Sequence, residues 1–149
     1  MSAHIRPLAI CLYTHAHKIL VAEYFDPVKA EKFYRPIGGG IEFGEYAADA
    51  VARETWEELS ARAANVRYLF TLENLFVFKG EQGHEIVLVF DGEFQDHSLY
   101  AREYLQGQEI VQGRETTVPF RAYWKTLTEL RTGPYPLYPD GLAQRLGEL

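Results

Sequence analysis

Glu54, Glu57 and Glu58 stand three and four residues apart in the run Arg53-Glu54-Thr55-Trp56-Glu57-Glu58-Leu59. On a helix this spacing puts all three carboxylates on one face, within about 100° of arc. Like charges so placed repel by about a few tenths of a kcal/mol per pair. No lysine follows at helical spacing to offset them, and Arg53 alone is at hand. The chemistry that suits such a face is the holding of a hard divalent cation by oxygen ligands, magnesium or manganese rather than zinc or copper. A cation so held polarises phosphoryl oxygens and lowers the pKa of a bound water.

The elements that position these carboxylates are readable on either side. Arg35-Pro36-Ile37-Gly38-Gly39-Gly40 reads as a loop, neither helix nor central strand, because consecutive glycines permit positive φ and close backbone approach to a ligand. Phe43-Gly44-Glu45 leads into an alanine-rich run of high helix propensity, so a helix is expected over 45–59. On its wheel Ala48, Ala52, Thr55 and Leu59 form the expected packing side. Ala47 and Ala50 lie on the carboxylate side and are small enough to leave room for metals and phosphates.

The spacing G-x5-E-x7-R-E-x-x-E-E, met by Gly39, Glu45, Arg53, Glu54, Glu57 and Glu58, closely resembles the Nudix box, the signature of hydrolases acting on nucleoside diphosphates linked to another group. The resemblance implies an α/β fold, the Nudix α/β/α sandwich with a mixed central sheet. It implies metal ligation by Glu54, Glu57, Glu58 and the Gly38 carbonyl, with Mg2+ or Mn2+ as cofactor. It implies that Arg53 orients Glu54, and that Glu45 and Gly39 brace the loop. The catalytic set is then Glu54, Arg53 and Glu57. The base that activates water is Glu54 or a glutamate from a later loop, for which Glu85, Glu103, Glu109 and Glu115 are candidates. Three positions depart from the pattern. Thr55 replaces an aliphatic residue, Ser60 the glycine that ends the helix, and Ala61 a larger aliphatic residue. Serine in a left-handed C-cap costs on the order of 1 kcal/mol relative to glycine.

Substrate contacts are less sharply marked. Arg35 is placed to reach a substrate phosphate, and a surface ion pair is an equal reading. Tyr24, Phe25, Tyr34, Phe76 and Phe78 are candidates for stacking on a base, though most aromatics of such a chain serve its core. Markers that accompany the box in enzymes acting on NADH, coenzyme A, ADP-ribose and dinucleoside polyphosphates are not seen. The window where the last two fall holds Leu75, Phe76, Val77 and Phe78.

Length and composition bound the rest. A chain of 149 residues, 47% hydrophobic, is expected to form one globular domain over 1–149. It has no apolar run of membrane-spanning length and no signal-peptide pattern. Its single cysteine, Cys11, fits a reducing cytoplasm and reads as inert core. A net charge of −6 argues against nucleic-acid polymers as partners and leaves a small-molecule diphosphate. A homodimer is compatible with the aromatic content. Expected elements are a hairpin of 8–13 and 18–24 and a short strand over 33–37. A strand over 65–78, bent near Glu73-Asn74, leads through a turn at 79–83. A strand over 85–94 follows, central because Ile86 to Phe90 lack polar alternation. A polar surface stretch covers 96–113, then come a strand over 121–124, a helical turn at 128–131, and a closing helix over 140–146 capped by Asp140. His15, His17 and His84 read as turn residues.

The function so read is metal-dependent hydrolysis of a diphosphate linkage in a nucleoside diphosphate derivative: a nucleotide, nucleotide sugar or dinucleotide. The alternatives are a non-catalytic nucleotide-sensing Nudix module and an isomerase of an allylic diphosphate, for which Cys11 in the first strand is a poor nucleophile.

Overall fold

The computed structural model describes residues 3–111 and 116–147. The apolar runs of the first half form β1 (Arg6–His15), β2 (Lys18–Asp26) and β3 (Glu31–Gly40). Ala16 and His17, both at positive φ, make the two-residue turn between β1 and β2, a geometry whose twist matches the flanking strands. After β3 come α1 (Ala47–Leu59), β4 (Ala63–Phe78) and β5 (Glu81–Phe94). A 3-10 turn (His97–Ala101) precedes β6 (Tyr104–Val111) and β7 (Thr116–Thr126), and α2 (Leu127–Thr132) and α3 (Leu142–Leu146) close the chain.

The strands form one mixed sheet in the order β4-β5-β1-β3-β2-β7-β6. β5 runs parallel to β1, and the other neighbours are antiparallel. The interior position of β5 agrees with the unbroken apolar run 86–90. Alternation along the strands builds two cores. Ala9, Cys11, Leu20, Ala22 and Phe120 face α1 through Ala50 and Val51. Leu8, Ile10, Val21 and Tyr34 face Leu130 of α2 and Leu142 of α3. Helices on both faces of a mixed sheet are the expected α/β/α layers. No helix among the described residues is long and apolar enough to cross a membrane.

Several expectations are corrected. The glycine run is a central strand, not a loop: β3 pairs with β2 over Glu31 to Pro36 and with β1 over Ile37 to Gly40. Glycine is needed there for closeness, since a Cβ on Gly38 (φ +152°) would overlap the Ala9 carbonyl. The irregularity in β4 falls at two register shifts between Ala64 and Phe70, with Asn65 at φ +52°, rather than at Glu73-Asn74. The β4–β5 turn is only Lys79-Gly80. Within the stretch expected to be polar surface, residues 104–111 form edge strand β6, which buries Leu105 and Gly107. Asp140 does not cap α3. Its N–H donates to Asn74 Oδ1 at 3.2 Å, and Gly141 at φ +86° occupies the N-cap.

Candidate active site

α1 lays a stripe of Ala50, Val51, Thr55 and Glu58 against the sheet, all four buried. Ala48 and Ala52, expected to pack, are exposed, and Ala50 fills core space rather than leaving room for a ligand. The carboxylates Glu54 and Glu58 therefore share the packing side and point along it toward the glycines of β3. Ser60 ends the helix in the left-handed region (φ 53°, ψ 35°), its N–H donating to Trp56 O. Thr55 explains its departure from the box by its partner, for its hydroxyl lies 2.5 Å from the buried Tyr13 hydroxyl.

Arg53 is the hub of the acidic face. Its Nε and Nη2 donate to both oxygens of Glu45, at 2.8 and 3.0 Å. Nη2 also reaches the Gly40 carbonyl at 2.9 Å. Nη1 donates to Glu54 at 3.0 Å and Glu57 at 3.2 Å. Glu45 in turn accepts from the Glu42 amide at 3.1 Å, so the connection between β3 and α1 is tied to the arginine. Bidentate charge-assisted bonds of this kind are strong and directional. Gly39 gives Glu54 its place: a Cβ there would stand 2.6 Å from the Glu54 carboxyl carbon.

Glu58 is 5% exposed. Burial pushes its pKa well above the usual carboxylate range, the charge of Glu54 and a hydrogen bond with it add to the rise, and Arg35 opposes it. Two carboxyls apposed in this way favour sharing a proton or a cation. Among the described residues no three acidic, histidine or cysteine side chains converge at metal-ligating spacing; Arg53 draws Glu54 and Glu57 to itself. The donor set nevertheless fits a hard divalent ion. Its ligands are all oxygen, and Gly39, lacking a Cβ, lets the Glu54 carboxylate lie directly against β3.

These residues line a cleft of about 960 Å³ that holds Gly38, Gly39, Arg53, Glu54, Glu57 and Glu58. A second compartment of about 230 Å³ adjoins it, walled by Tyr24, Phe33, Phe76, Phe78 and Tyr138. Arg6, Tyr24, Phe78 and Glu109 line both, so the two are continuous. The hairpin of β4 and β5 delivers Phe76 and Phe78, and Gly83 makes room for the Phe76 ring. Asp26 ties the hairpin tips together, accepting from the amides of Val28 (2.9 Å), Lys29 (3.3 Å) and Lys79 (3.3 Å).

The other sequence candidates separate. Arg35 and Glu85 line the aromatic compartment, paired at 3.4 Å. Of the later acids among the described residues, only Glu109 reaches the box compartment. Desolvation at that mouth raises its pKa, Arg35 opposes the rise and Glu54 adds to it. Glu103 is exposed and lines neither compartment. Glu115 lies outside the described residues. Tyr34 is not in the cleft: strand alternation sends it to the opposite face, where it is 8% exposed beside Leu130 and Leu142, while Arg35 takes the cleft side. Phe25 is exposed and lines only the larger compartment. Sequence reasoning missed Arg6, Asn74 and Tyr138. Asn74 left a signal, a polar residue in an apolar strand pattern; Arg6 and Tyr138 left none.

Comparison with known proteins bears on the family and the fold. A sequence model of the NUDIX domain matches residues 4–142. The chain is 31% identical over 114 residues to the NAD-capped RNA hydrolase NudC of Pseudomonas syringae pv. syringae, covering 74% of this chain and 35% of that protein. It is 29% identical over 99 residues to the enzyme of the same description from Chromobacterium violaceum, covering 66% of this chain and 34% of that one. It thus spans about a third of the length of these relatives. Among solved structures it is similar to a NUDIX hydrolase from Nitrosomonas europaea, with a TM-score of 0.67, 15% identity and coverage of 97% and 88% of the two chains. It is also similar to a MutT NUDIX hydrolase from Burkholderia pseudomallei, with a TM-score of 0.62, 19% identity and coverage of 96% and 95%.

Proposed function

The chain belongs to the Nudix family, and on that premise we propose that it is a divalent-metal-dependent pyrophosphohydrolase, cytoplasmic, that cleaves a diphosphate linkage in a nucleoside diphosphate derivative. The observation that supports this most is the juxtaposition of two compartments. A carboxylate-lined cleft of phosphate-binding size opens directly into an aromatic slot through Tyr24 and Phe78. A diphosphate at the glutamates and a ring between the aromatics fit that arrangement.

Glu54, Glu57, Glu58 and the Gly38 carbonyl would hold magnesium or manganese, and family members generally use divalent metals. Such an ion supplies charge neutralisation on phosphoryl oxygens and a water of lowered pKa. Arg53 keeps Glu54 and Glu57 turned to the cleft and anchors Glu45. The attacking water forms a new P–O bond, the bridging P–O bond breaks, and the other phosphate leaves. The proton passes to a carboxylate, Glu54 or Glu109. Arg6 and Lys79, which line the same compartment, provide positive charge near the leaving phosphate.

Cys11 supports hydrolysis over allylic isomerisation. It is buried in the core beneath α1, and burial pushes its thiol up to about 12, so it is no nucleophile at neutral pH. The action on NAD-capped RNA named for the two relatives is theirs. A dinucleotide of that kind belongs among the substrates to try, although the proline-rich marker of NADH-cleaving enzymes is missing.

The test is a phosphate- or nucleotide-release screen over nucleotides, nucleotide sugars and dinucleotides, with and without Mg2+ or Mn2+, with Glu57→Gln and Glu58→Gln alongside. Metal-dependent release that both variants abolish is expected. Release independent of metal, or full activity in both variants, would overturn the assignment. No release from any compound would favour the sensing module.

A further inference from the structure

The floor of the aromatic compartment is a built polar site. Glu85 is 3% exposed and Asn74 is 2% exposed, yet both line the cavity. Glu85 Oε1 accepts twice, from Arg35 Nη2 at 3.4 Å and Asn74 Nδ2 at 3.3 Å. Asn74 Oδ1 is held in turn by the Asp140 amide at 3.2 Å. Three strands and the C-terminal segment thereby fix one carboxylate. Its second oxygen has no donor among the described residues and is not among the side-chain atoms sealed from solvent without a partner, so it opens to the cavity. Arg35 uses one of its five N–H donors on Glu85 and keeps the rest unpaired among the described residues.

One oxygen of Glu85 is satisfied twice, and the other is left to accept from whatever enters the cavity. Within an aromatic slot, the ligand that completes it presents an N–H at the edge of a flat ring. Nucleobases place such a donor next to a ring acceptor, and the adjacent Arg35 supplies donors to that acceptor. An aliphatic diphosphate offers neither. The cavity of about 230 Å³ is sized for one heterocycle, with the hairpin ring Phe78 and the strand residue Tyr24 at the passage to the glutamates.

We propose that Glu85 is the specificity residue of this enzyme, accepting a hydrogen bond from a ring or amino N–H of the base of its nucleoside diphosphate substrate, with Asn74 as its positioning residue. This rests on the hydrolase reading above and names the group its substrate must carry. The bland reading is that Arg35, Glu85 and Asn74 merely tie β3, β4 and β5 together. It predicts no dependence on the base.

The experiment compares paired diphosphate substrates: adenosine derivatives against purine riboside derivatives, which lack only the amino donor, and inosine derivatives against 1-methylinosine derivatives, in which a methyl group replaces the N1–H. The native enzyme should favour the donor-bearing member of at least one pair by about tenfold or more in kcat/KM, since sites built to bond an N–H reject analogues that lack it. Glu85→Gln should collapse that ratio to within about threefold, the donor-bearing member losing more kcat/KM than the donor-less one. A native ratio near one in both pairs overturns the proposal, as does an equal fall of both members in Glu85→Gln. If Glu85→Gln folds poorly, calorimetric binding of the same pairs to native protein decides the matter, with equal affinities counting against it. Failure of the hydrolase reading looks different: no member of either pair is cleaved with any divalent metal.

Discussion

The Tyr13 hydroxyl on β1 meets the Thr55 hydroxyl on α1 at 2.5 Å inside the core, so the helix that carries the glutamates is pinned to the sheet by a polar contact. Tyr13 is fully buried and stacks on Phe94 at 4.1 Å between ring centroids. Restoring an aliphatic residue by Thr55→Val strands that hydroxyl, with only the weak Cys11 thiol nearby. A loss of about 1–3 kcal/mol is expected. The double variant Tyr13→Phe, Thr55→Val keeps the stack, removes both polar atoms, and should recover most of the loss. Urea unfolding of the four proteins gives the coupling directly; additive effects would mean that the pair does not interact.

Arg53 makes its contacts through a planar fork, and a lysine cannot reproduce them. Arg53→Lys retains the charge but gives up the paired bonds to Glu45 and at least one of those to Glu54, Glu57 and Gly40. The three acids then drift apart. A fall in kcat of at least about tenfold, equivalent to ~1.4 kcal/mol in the barrier, is expected, together with weaker metal activation. Native kinetics in the lysine variant would show that charge alone is what the cleft requires.

The fold class and the acidic cluster were legible in the sequence, and several elements of the frame were not. Glutamates at helical spacing are visible in sequence because only a common ligand or a common cation makes sense of them, and Arg53 beside them names the partner. The glycines misled because freedom of φ suggests a loop, whereas their use here is closeness: Gly38 lies against Ala9, and Gly39 against Glu54. β6 was hidden because Leu105 and Gly107 are its buried positions over 104–110, and Gly107 leaves no hydrophobic mark while admitting the Phe120 ring. The packing side of α1 was misplaced because a buried Glu58 does not look like a core residue. Tyr34 and Arg35 were indistinguishable as substrate contacts until the register of β3 sent them to opposite faces.

Asp26 joins the β2–β3 and β4–β5 turns and so shapes the aromatic compartment. Its burial works against ionisation, but the amides of Lys79, Lys29 and Val28 more than offset this and hold its pKa below the ordinary 3.8. A carboxylate with a depressed folded-state pKa stabilises the protein above the unfolded value and loses that contribution as pH falls through the folded one. Asp26→Asn should therefore be less stable than native protein near neutrality, with the gap closing as pH drops below 3.8. Urea midpoints across that range test it. A gap that stays constant with pH would mean that the carboxylate's charge plays no part in the clamp.

Glu109 and Glu103 separate the two ways a late glutamate can be read. Glu109 stands at the mouth shared by both compartments, and Glu103 lines neither. Desolvation raises the Glu109 pKa above the ordinary 4.5, Arg35 opposes and Glu54 adds to the rise, and Arg6 and Lys79 oppose it further. A base must be deprotonated to accept the proton of water, so its raised pKa places the acid limb of the kcat/KM profile above 4.5. Glu109→Gln should lower kcat by about 10²-fold or more, within the usual range for loss of a general base, and flatten that limb. Glu103→Gln should leave both untouched. If Glu109→Gln keeps the limb and most of the rate, the proton goes to Glu54, whose bond to Arg53 Nη1 at 3.0 Å then has to loosen during turnover.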